Sequence, residues 1–249
     1  MGKIDHASTL DLGIRLIPLA RSVIEEVSER RIVLVGGSGA GKTASANTIL
    51  GRREFGSERS SVTGSVAQAT VSGRSVSVVD TPGLFYGGMR NEEMRMMLEI
   101  SRSVSLSSPG PHAFLIVFSV NDRFADQQIP QMMKMMFGEE VFKYSIILFT
   151  HRSRLDEEER IKKLIEQNSA LRAAVDQCGG RYHVFNNKDV NNREQVEDLL
   201  QKIDSMIQQN GGAHYTNQMT EDAEIHERRR RENPKRTNAQ KSQEFLYPI

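Results

Sequence analysis

The sequence predicts a three-layer α/β fold, with a mostly parallel central sheet and helices on both faces. Short β-branched runs alternate with longer segments of helical periodicity from Arg31 onward, which is typical of parallel strands joined by crossover helices. Four of the runs are unbroken or nearly unbroken in apolar residues, as expected for strands covered on both faces. The predicted strands are 32–35, 66–71, 76–79, 113–120, 145–149 and 182–185.

The length of 249 residues favours one large domain with extensions. Residues 30–210 carry the alternating pattern, 1–29 form an N-terminal extension, and 211–249 form a polar, partly basic tail that we expect to be mostly disordered. The 33 basic and 32 acidic residues leave a formal charge of +1. This balance gives no overall field for nucleic acid, and the four arginines at 228–231 are a local feature of the tail.

The sequence favours a cytoplasmic location. A single cysteine, Cys178, excludes an internal disulfide framework. The longest apolar run, at 113–120, is far shorter than the ~20 residues of a spanning helix. His6 stands where the myristoylation pattern needs Ser or Thr, and the end of the sequence has no cysteine for prenylation. Contact with a membrane would therefore be peripheral.

Four helices are predicted from apolar periodicity. The apolar periodicity within residues 10–30 predicts an amphipathic helix that begins near Pro18. This helix packs on its own domain, or binds a partner or a membrane surface. A second helix, starting near Ile129, buries its methionines in the core or presents them as a Met-rich binding face. A third begins after Asp156 as N-cap and continues to Leu171. The last helix follows Asn192 and ends at Asn210.

A glycine-rich segment follows the first predicted strand. Residues 36–43 read GGSGAGKT and match the pattern GxxxxGK[ST] between an apolar strand and a helical stretch, which is the context of a P-loop. Its glycines turn successive N–H groups inward, and the next helix presents its positive end to phosphates. Lys42 is expected to reach the β- and γ-phosphates, and Thr43 to offer its hydroxyl to Mg²⁺. The predicted phosphate-binding residues are Gly36, Gly37, Ser38, Gly39, Ala40, Gly41, Lys42, Thr43 and Ala44.

A second phosphate motif, DTPG, ends the third predicted strand. Asp80 at its start is placed to hold Mg²⁺ through water, and the N–H of Gly83 can register a γ-phosphate. Between the two motifs, Thr63 in the segment RSSVTG is the candidate to close over the metal when a triphosphate is bound. Ser60, Ser61 or no residue of the segment are the alternatives. The two motifs together predict a P-loop NTPase that binds a purine nucleotide with Mg²⁺.

The chain resembles the immunity-associated nucleotide-binding proteins, the GIMAP family, over about residues 30–210. That family belongs with septins and chloroplast import receptors among Ras-like P-loop GTPases. The segments that carry the resemblance are SANTILG at 45–51, SVTG at 61–64, DTPGLF at 80–85, GPHAFLIVFSV at 110–120 and ILFTH at 147–151. The resemblance implies a G domain that binds GTP or GDP. It also implies a homo- or hetero-dimer through the nucleotide face.

Guanine recognition departs from the usual NKxD motif. Residues 150–153 read THRS, so the carboxylate that accepts hydrogen bonds from guanine is missing. His151 could stack on the base, as the resemblance to the import receptors suggests, or be a surface loop residue. Asn186 and Asn187 could contact the guanine edges. The missing acid weakens base specificity more than phosphate binding, and it leaves an ATP-using P-loop protein as an alternative.

Hydrolysis is expected to be slow. Leu84 stands just after the DTPG motif, where Ras-like proteins carry a glutamine that orients the attacking water. The candidate catalytic residues are Lys42, Thr63 and Arg102. Of these, Arg102 is expected to come from a second subunit; the alternative is that Arg102 is a solvated charge on a helix. The predicted function is a GTP/GDP switch or scaffold with slow GTP hydrolysis and nucleotide-dependent dimerisation. A module that holds its nucleotide without turnover is the other alternative.

Overall fold

The computed structural model describes residues 29–56, 63–84, 90–120, 128–151 and 157–216. Residues 10–28 of the predicted helix, Asp156 and the arginines at 228–231 lie outside these ranges, as do Ser60 and Ser61. The last two residues of that predicted helix, Glu29 and Arg30, belong to the first strand instead. Within the described ranges, no helix is both long enough and apolar enough to cross a membrane.

Six strands form one sheet in the order β2-β3-β1-β4-β5-β6. β2 runs antiparallel to β3, and every other pairing is parallel. All six predicted strands are confirmed, each within a few residues of its predicted ends. Their bounds are β1 Glu29–Gly36, β2 Ser65–Val71, β3 Arg74–Asp80, β4 Ala113–Ser119, β5 Ser145–His151 and β6 Tyr182–Asn186.

Helices cover both faces of this sheet. One buried apolar cluster joins the sheet to α2, α3, α4 and α5, and a second joins it to α1 and α6. The three-layer α/β fold is therefore confirmed. The helices are α1 Lys42–Leu50, α2 Arg90–Val104, α3 Ile129–Phe137, α4 Glu157–Gln167, α5 Ser169–Gln177 and α6 Glu194–Gln209, with short 3₁₀ turns at Ser105–Ser107 and Glu139–Tyr144.

The methionine-rich helix, α3, contributes to the core. Met133 and Met136 are 1% and 3% exposed and belong to the larger apolar cluster. Met135, on the opposite side, is 65% exposed. The helical spacing thus correctly predicts that Met133 and Met136 lie in the core. Among the described methionines of this helix, Met135 is the one exposed enough for a binding face.

The predicted helix from Asp156 to Leu171 is wrong as a single element. The chain breaks at Asn168, between α4 and α5, where the backbone is extended (φ −116, ψ 103). The Asn168 side chain accepts hydrogen bonds from the N–H groups of Ala170 and Leu171, each at 3.1 Å. An asparagine that caps the next helix competes with continuation of the first, so two short helices replace one long one.

The packed part of the chain continues past the expected boundary at residue 210. Tyr215 is only 1% exposed. Its ring packs edge-on against Phe114, Phe137 and Tyr144, at centroid distances of 5.2, 6.2 and 5.8 Å. Its N–H donates to Pro111 O at 2.8 Å, and its hydroxyl donates to Phe137 O. Tyr215, which lies beyond the end of α6, therefore packs in the core.

Parallel pairing brings five strand ends to one edge of the sheet. β1 ends at Gly36, β3 at Asp80, β4 at Ser119, β5 at His151 and β6 at Asn186. The carboxyl ends of parallel strands form the usual ligand-binding edge of open α/β sheets. Every predicted site residue that follows a strand therefore lies at this edge.

Candidate functional site

The loop between β1 and α1 has the backbone form of a phosphate cradle. Gly39 and Gly41 have positive φ angles of 81 and 97, which glycine adopts without steric cost. At the start of α1 the N–H groups of Lys42 and Thr43 have no acceptor within the helix. Ser38, Gly39 and Ala44 are exposed, so an anion can approach this loop from solvent. The local sequence and the helix start together suit the binding of an anion.

Two glycines of the loop lie close to neighbouring strands. A Cβ on Gly36 would come 2.5 Å from the carbonyl oxygen of Val117 on β4, and one on Gly41 would come 3.1 Å from the hydroxyl of Thr150. Thr150, at the end of β5, donates its hydroxyl to Ala40 O at 2.6 Å. Because the Ala40 carbonyl is directed at Thr150, the N–H of the same peptide unit, on Gly41, points away from Thr150.

Lys42 is folded into the loop. Its Nζ donates to the carbonyl oxygens of Gly36 and Gly37 at 3.0 and 2.9 Å, and the residue is 6% exposed. Burial lowers the pKa of Lys42 to about 8, while the charge of Asp80 opposes this shift. A buried ammonium group held by neutral carbonyls gains strongly when an anionic oxygen is offered in their place. The position of Lys42 therefore suits phosphate.

Thr43 and Asp80 form a pair of oxygen ligands suited to a hard cation. The hydroxyl of Thr43 donates to Asp80 Oδ2 at 2.6 Å. Asp80 Oδ1 is buried and has no hydrogen-bond partner among the described residues. Burial raises the pKa of Asp80, and the hydrogen bond from Thr43 and the charge of Lys42 oppose the rise. A buried carboxylate oxygen without a partner beside a threonine hydroxyl fits Mg²⁺, which prefers oxygen ligands.

The DTPG segment packs directly on the glycine loop. Leu84 N–H donates to Gly36 O, and Ser38 N–H donates to Leu84 O, both at 3.0 Å. A Cβ on Gly83 would come 2.8 Å from Ser38 Cα, so only glycine allows this approach. The side chain of Leu84 is 2% exposed and lies in the larger core cluster. It therefore points away from any water that attacks a bound phosphate.

The structure does not bring Thr63 and Arg102 to the phosphate loop. Thr63 is exposed, and within the described ranges no hydrogen bond joins it to Thr43 or Asp80. The Arg102 side chain is 57% exposed and pairs with Glu99 at 2.5 Å, one turn earlier on α2. The closure of Thr63 over a metal stays a prediction. The exposure of Arg102 fits either a solvated helix charge or a residue that reaches a second molecule.

At the carboxyl ends of β5 and β6, His151 lies beside Asn186. The two residues are register partners at the strand ends, although the side chain of His151 lies outside the described part. The Asn186 side chain accepts from Lys188 N–H at 3.1 Å. Asn187 instead contacts α1: its Nδ2 donates to Ser45 Oγ at 3.0 Å, and its Oδ1 accepts from Thr48 Oγ1 at 2.8 Å. Direct contact of either asparagine with guanine stays a prediction.

Sequence reasoning missed the contacts that hold these loops in place. Thr150 is hydrogen-bonded to the glycine loop. Hydrogen bonds of Ser45, Thr48 and Arg193 join α1 to the loop after β6. These pairs are more than a hundred residues apart in sequence. A single sequence carries no local signal for them, whereas the glycine motif and DTPG are read from adjacent residues.

The glycine loop, the buried lysine and the Thr43–Asp80 pair at the end of a parallel sheet define a P-loop nucleotide-binding protein. Residues 30–234 match the family model described as the AIG1 family. The chain belongs to the AIG1 family, which confirms the resemblance to GIMAP proteins.

Curated relatives agree with this assignment. Human GTPase IMAP family member 8 is 35% identical over 194 residues, which cover 75% of this chain and 28% of that protein. Immune-associated nucleotide-binding protein 9 of Arabidopsis thaliana is 34% identical over 203 residues, which cover 77% of this chain and 59% of that protein. The chain thus spans less than two thirds of either relative.

Solved structures share the fold. Toc33 from Arabidopsis thaliana, in complex with GDP and Mg²⁺, aligns with a TM-score of 0.51 at 18% identity, over 73% of this chain and 79% of that chain. A structure of the chloroplast translocon components atToc33 and psToc159 aligns with a TM-score of 0.53 at 17% identity, over 69% and 76%. At these identities the likeness supports the architecture alone.

Proposed function

We propose that this chain binds GTP and GDP with Mg²⁺ and acts as a switch or scaffold that dimerises through its nucleotide face and hydrolyses GTP slowly. The observation that carries the proposal is the meeting of Lys42, Thr43 and Asp80 beside the glycine loop, with one buried oxygen of Asp80 left without a partner among the described residues. The curated relatives, a GTPase and a nucleotide-binding protein, support the ligand class.

Each residue has a defined part in this proposal. Lys42 exchanges the carbonyls of Gly36 and Gly37 for phosphate oxygens. Thr43 and Asp80 would hold Mg²⁺, which when bound neutralises charge on the phosphate oxygens. Gly83 lies against Ser38 in the loop, so its N–H is near the end of the phosphate chain. A γ-phosphate would compete with the hydrogen bonds between Leu84 and the loop.

Turnover in this proposal needs a second subunit. Leu84 is buried and apolar, so it cannot orient the attacking water. Arg102 is exposed on α2, where a partner molecule can receive it, and arginines supplied in trans raise GTP hydrolysis by about 10³–10⁵-fold in other GTPases. Dimerisation is important for the GTPase activity of atToc33 and psToc159, and this precedent supports a dimer-dependent reaction here.

Phosphate release measured over a range of protein concentrations tests this. We expect the rate per molecule to rise with concentration for the wild type and for Arg95→Ala, because Arg95 is exposed on the same helix without a proposed role. Arg102→Ala should remove at least the concentration-dependent part. A rise that Arg102→Ala leaves intact would exclude Arg102.

The second candidate is a module that keeps its nucleotide without turnover. The burial of Leu84 favours it, since the residue that directly follows Gly83 is apolar and cannot position water. In that case, phosphate release would stay at the level of the buffer at every protein concentration, while purified protein would still carry bound nucleotide.

A further inference from the structure

The loop after β6 is attached to the phosphate-binding helix by Asn187. Both halves of its amide are used: Nδ2 donates to Ser45 Oγ at 3.0 Å, and Oδ1 lies 2.8 Å from Thr48 Oγ1, whose single proton is shared between Asn187 and the carbonyl oxygen of Ala44 at 2.9 Å. Ser45 and Thr48 are 0% and 3% exposed on α1. Hydrogen bonds between buried polar groups fix relative positions because breaking them leaves unsatisfied partners.

A second attachment lies one turn further along α1. The guanidinium of Arg193 donates to Thr48 O at 2.5 Å and to Ile49 O at 2.9 Å. These carbonyls belong to the last turn of the helix, where acceptors lack partners within the helix. Arg193 therefore joins the end of the loop to the end of α1.

The loop between these two attachments is held by Gln195, in the first turn of α6. Gln195 Oε1 accepts from Asn186 N–H at 2.9 Å, and its Nε2 donates to Asp189 O at 3.1 Å. The Asn186 side chain accepts from Lys188 N–H at 3.1 Å. With both ends attached to α1 and the middle held by Gln195, the loop and the helix form one unit.

Under the proposed function, this unit connects the residues expected at the two ends of a nucleotide. α1 begins at Lys42 and Thr43, the residues of the phosphate and metal site, and the loop follows β6 at the edge where a base would lie. The α1 helix is 9 residues long, or roughly 13 Å at ~1.5 Å per residue. Because base and phosphates are joined by a ribose of fixed size, affinity depends on the spacing between the loop and the cradle.

We propose that Asn187 is a positioning residue for nucleotide binding, which acts through Ser45 and Thr48 to set the place of the base-side loop relative to the phosphate cradle. The proposal rests on the proposed nucleotide-binding function. It assigns Asn187 a role other than the direct guanine contact predicted from the sequence.

A double-mutant cycle tests it. GDP affinity with Mg²⁺ is measured by calorimetry for wild type, Ser45→Ala, Asn187→Ala and the double variant, after thermal melts have shown each to be folded. Each single change should weaken binding by about 3- to 10-fold, the value of one or two hydrogen bonds. The double variant should be no weaker than the weaker single variant, because both changes break the same contact.

A conservative pair provides a second readout. Thr48→Ser keeps the hydroxyl and should bind GDP like the wild type. Thr48→Val removes it and should bind GDP more weakly than Thr48→Ser, but no more weakly than Asn187→Ala, which loses both contacts. A contact that only stabilised the fold would lower the melting temperature in these variants and leave the affinity of the folded protein unchanged. That result would overturn the proposal.

The remaining outcomes are distinct. Single effects that multiply in the double variant would mean that Asn187 acts on the nucleotide independently of Ser45, which overturns the positioning role while wild-type binding stands. Absence of GDP binding by folded wild type would overturn the proposed function and the positioning role with it.

Discussion

Gly36 is the residue at which the strand and the phosphate loop meet with the least space. A Cβ there would lie 2.5 Å from Val117 O, a backbone atom that cannot move without displacing β4. Its requirement for glycine is therefore steric. The close contact sets where the loop leaves the sheet. It therefore also sets the position of Lys42, where α1 begins.

We expect Gly36→Ala to lower the free energy of unfolding by about 1–3 kcal/mol, as overpacking of a rigid site does. Gly56→Ala is the matched control, because nothing lies within 4 Å of its Cβ position, and it should change stability by less than about 0.5 kcal/mol. Urea unfolding measures both. Equal stability of the two variants would contradict the steric argument.

Two buried histidines should make stability depend on pH. Burial and the charge of Arg31 lower the pKa of His112 to about 3, and burial and the charge of Lys202 lower the pKa of His183 to about 4. Both values lie below the usual 6.5. Between the folded and the usual pKa the unfolded chain binds more protons than the folded chain, so stability is complete above about pH 6.5 and falls as the pH drops toward 4.

Urea unfolding at about pH 7.5 and about pH 5 measures this effect. The free energy of unfolding should be lower at the acidic value, and His183→Gln should reduce the difference because one of the two titrating groups is gone. A stability that is flat or rises on acidification over this window would contradict buried neutral histidines at these positions.

At the scale of elements, the strands could be predicted and one helix boundary could not. Parallel strands covered on both faces need continuous apolar runs, and β1, β4 and β5 show them directly in the sequence. The division between α4 and α5 depends on one side chain: Asn168 caps the second helix instead of continuing the first. Apolar spacing continues across that point, so periodicity alone predicts one helix.

The Asn168 cap gives a test at this scale. Asn168→Ala should lower the free energy of unfolding by about 1 kcal/mol, since two N–H groups at the start of α5 lose their acceptor. Asn168→Asp keeps a capping oxygen and should cost much less. If both variants matched the wild type in thermal and urea unfolding, the side chain would not determine where α5 begins.

Across the whole molecule, features could be predicted where their residues are close in sequence, and could not be predicted where their residues are far apart in sequence. The phosphate and metal residues lie within two short motifs, so residue chemistry identifies them. The contacts of Asn187 with α1 and of Leu84 with the glycine loop join distant segments, and they appear only when the sheet is assembled. The packing of Tyr215, beyond the boundary expected at 210, could not be predicted for the same reason: its aromatic partners come from β4, α3 and the 3₁₀ turn after it.

Tyr215 should therefore be part of the folding unit. We expect Tyr215→Ala in the full chain to lower the free energy of unfolding by about 3–5 kcal/mol, as loss of a fully buried aromatic side chain does. Tyr215→Phe should cost about 1 kcal/mol for the lost hydroxyl bond to Phe137 O. Thr216→Ala, at an exposed neighbour, is the control. A Tyr215→Ala variant as stable as this control would place the domain boundary before residue 215.

The most direct test of the account is calorimetric titration of the folded full chain with GDP, GTP and ATP in the presence of Mg²⁺. The account predicts that GDP and GTP bind more tightly than ATP. Lys42→Ala should weaken GDP binding by about 10- to 150-fold, the worth of one charge-assisted hydrogen bond to phosphate. Lys143→Ala, at an exposed lysine paired with Glu140, should bind like the wild type. No uptake of GDP or GTP, or equal binding by Lys42→Ala and the wild type, would contradict the account.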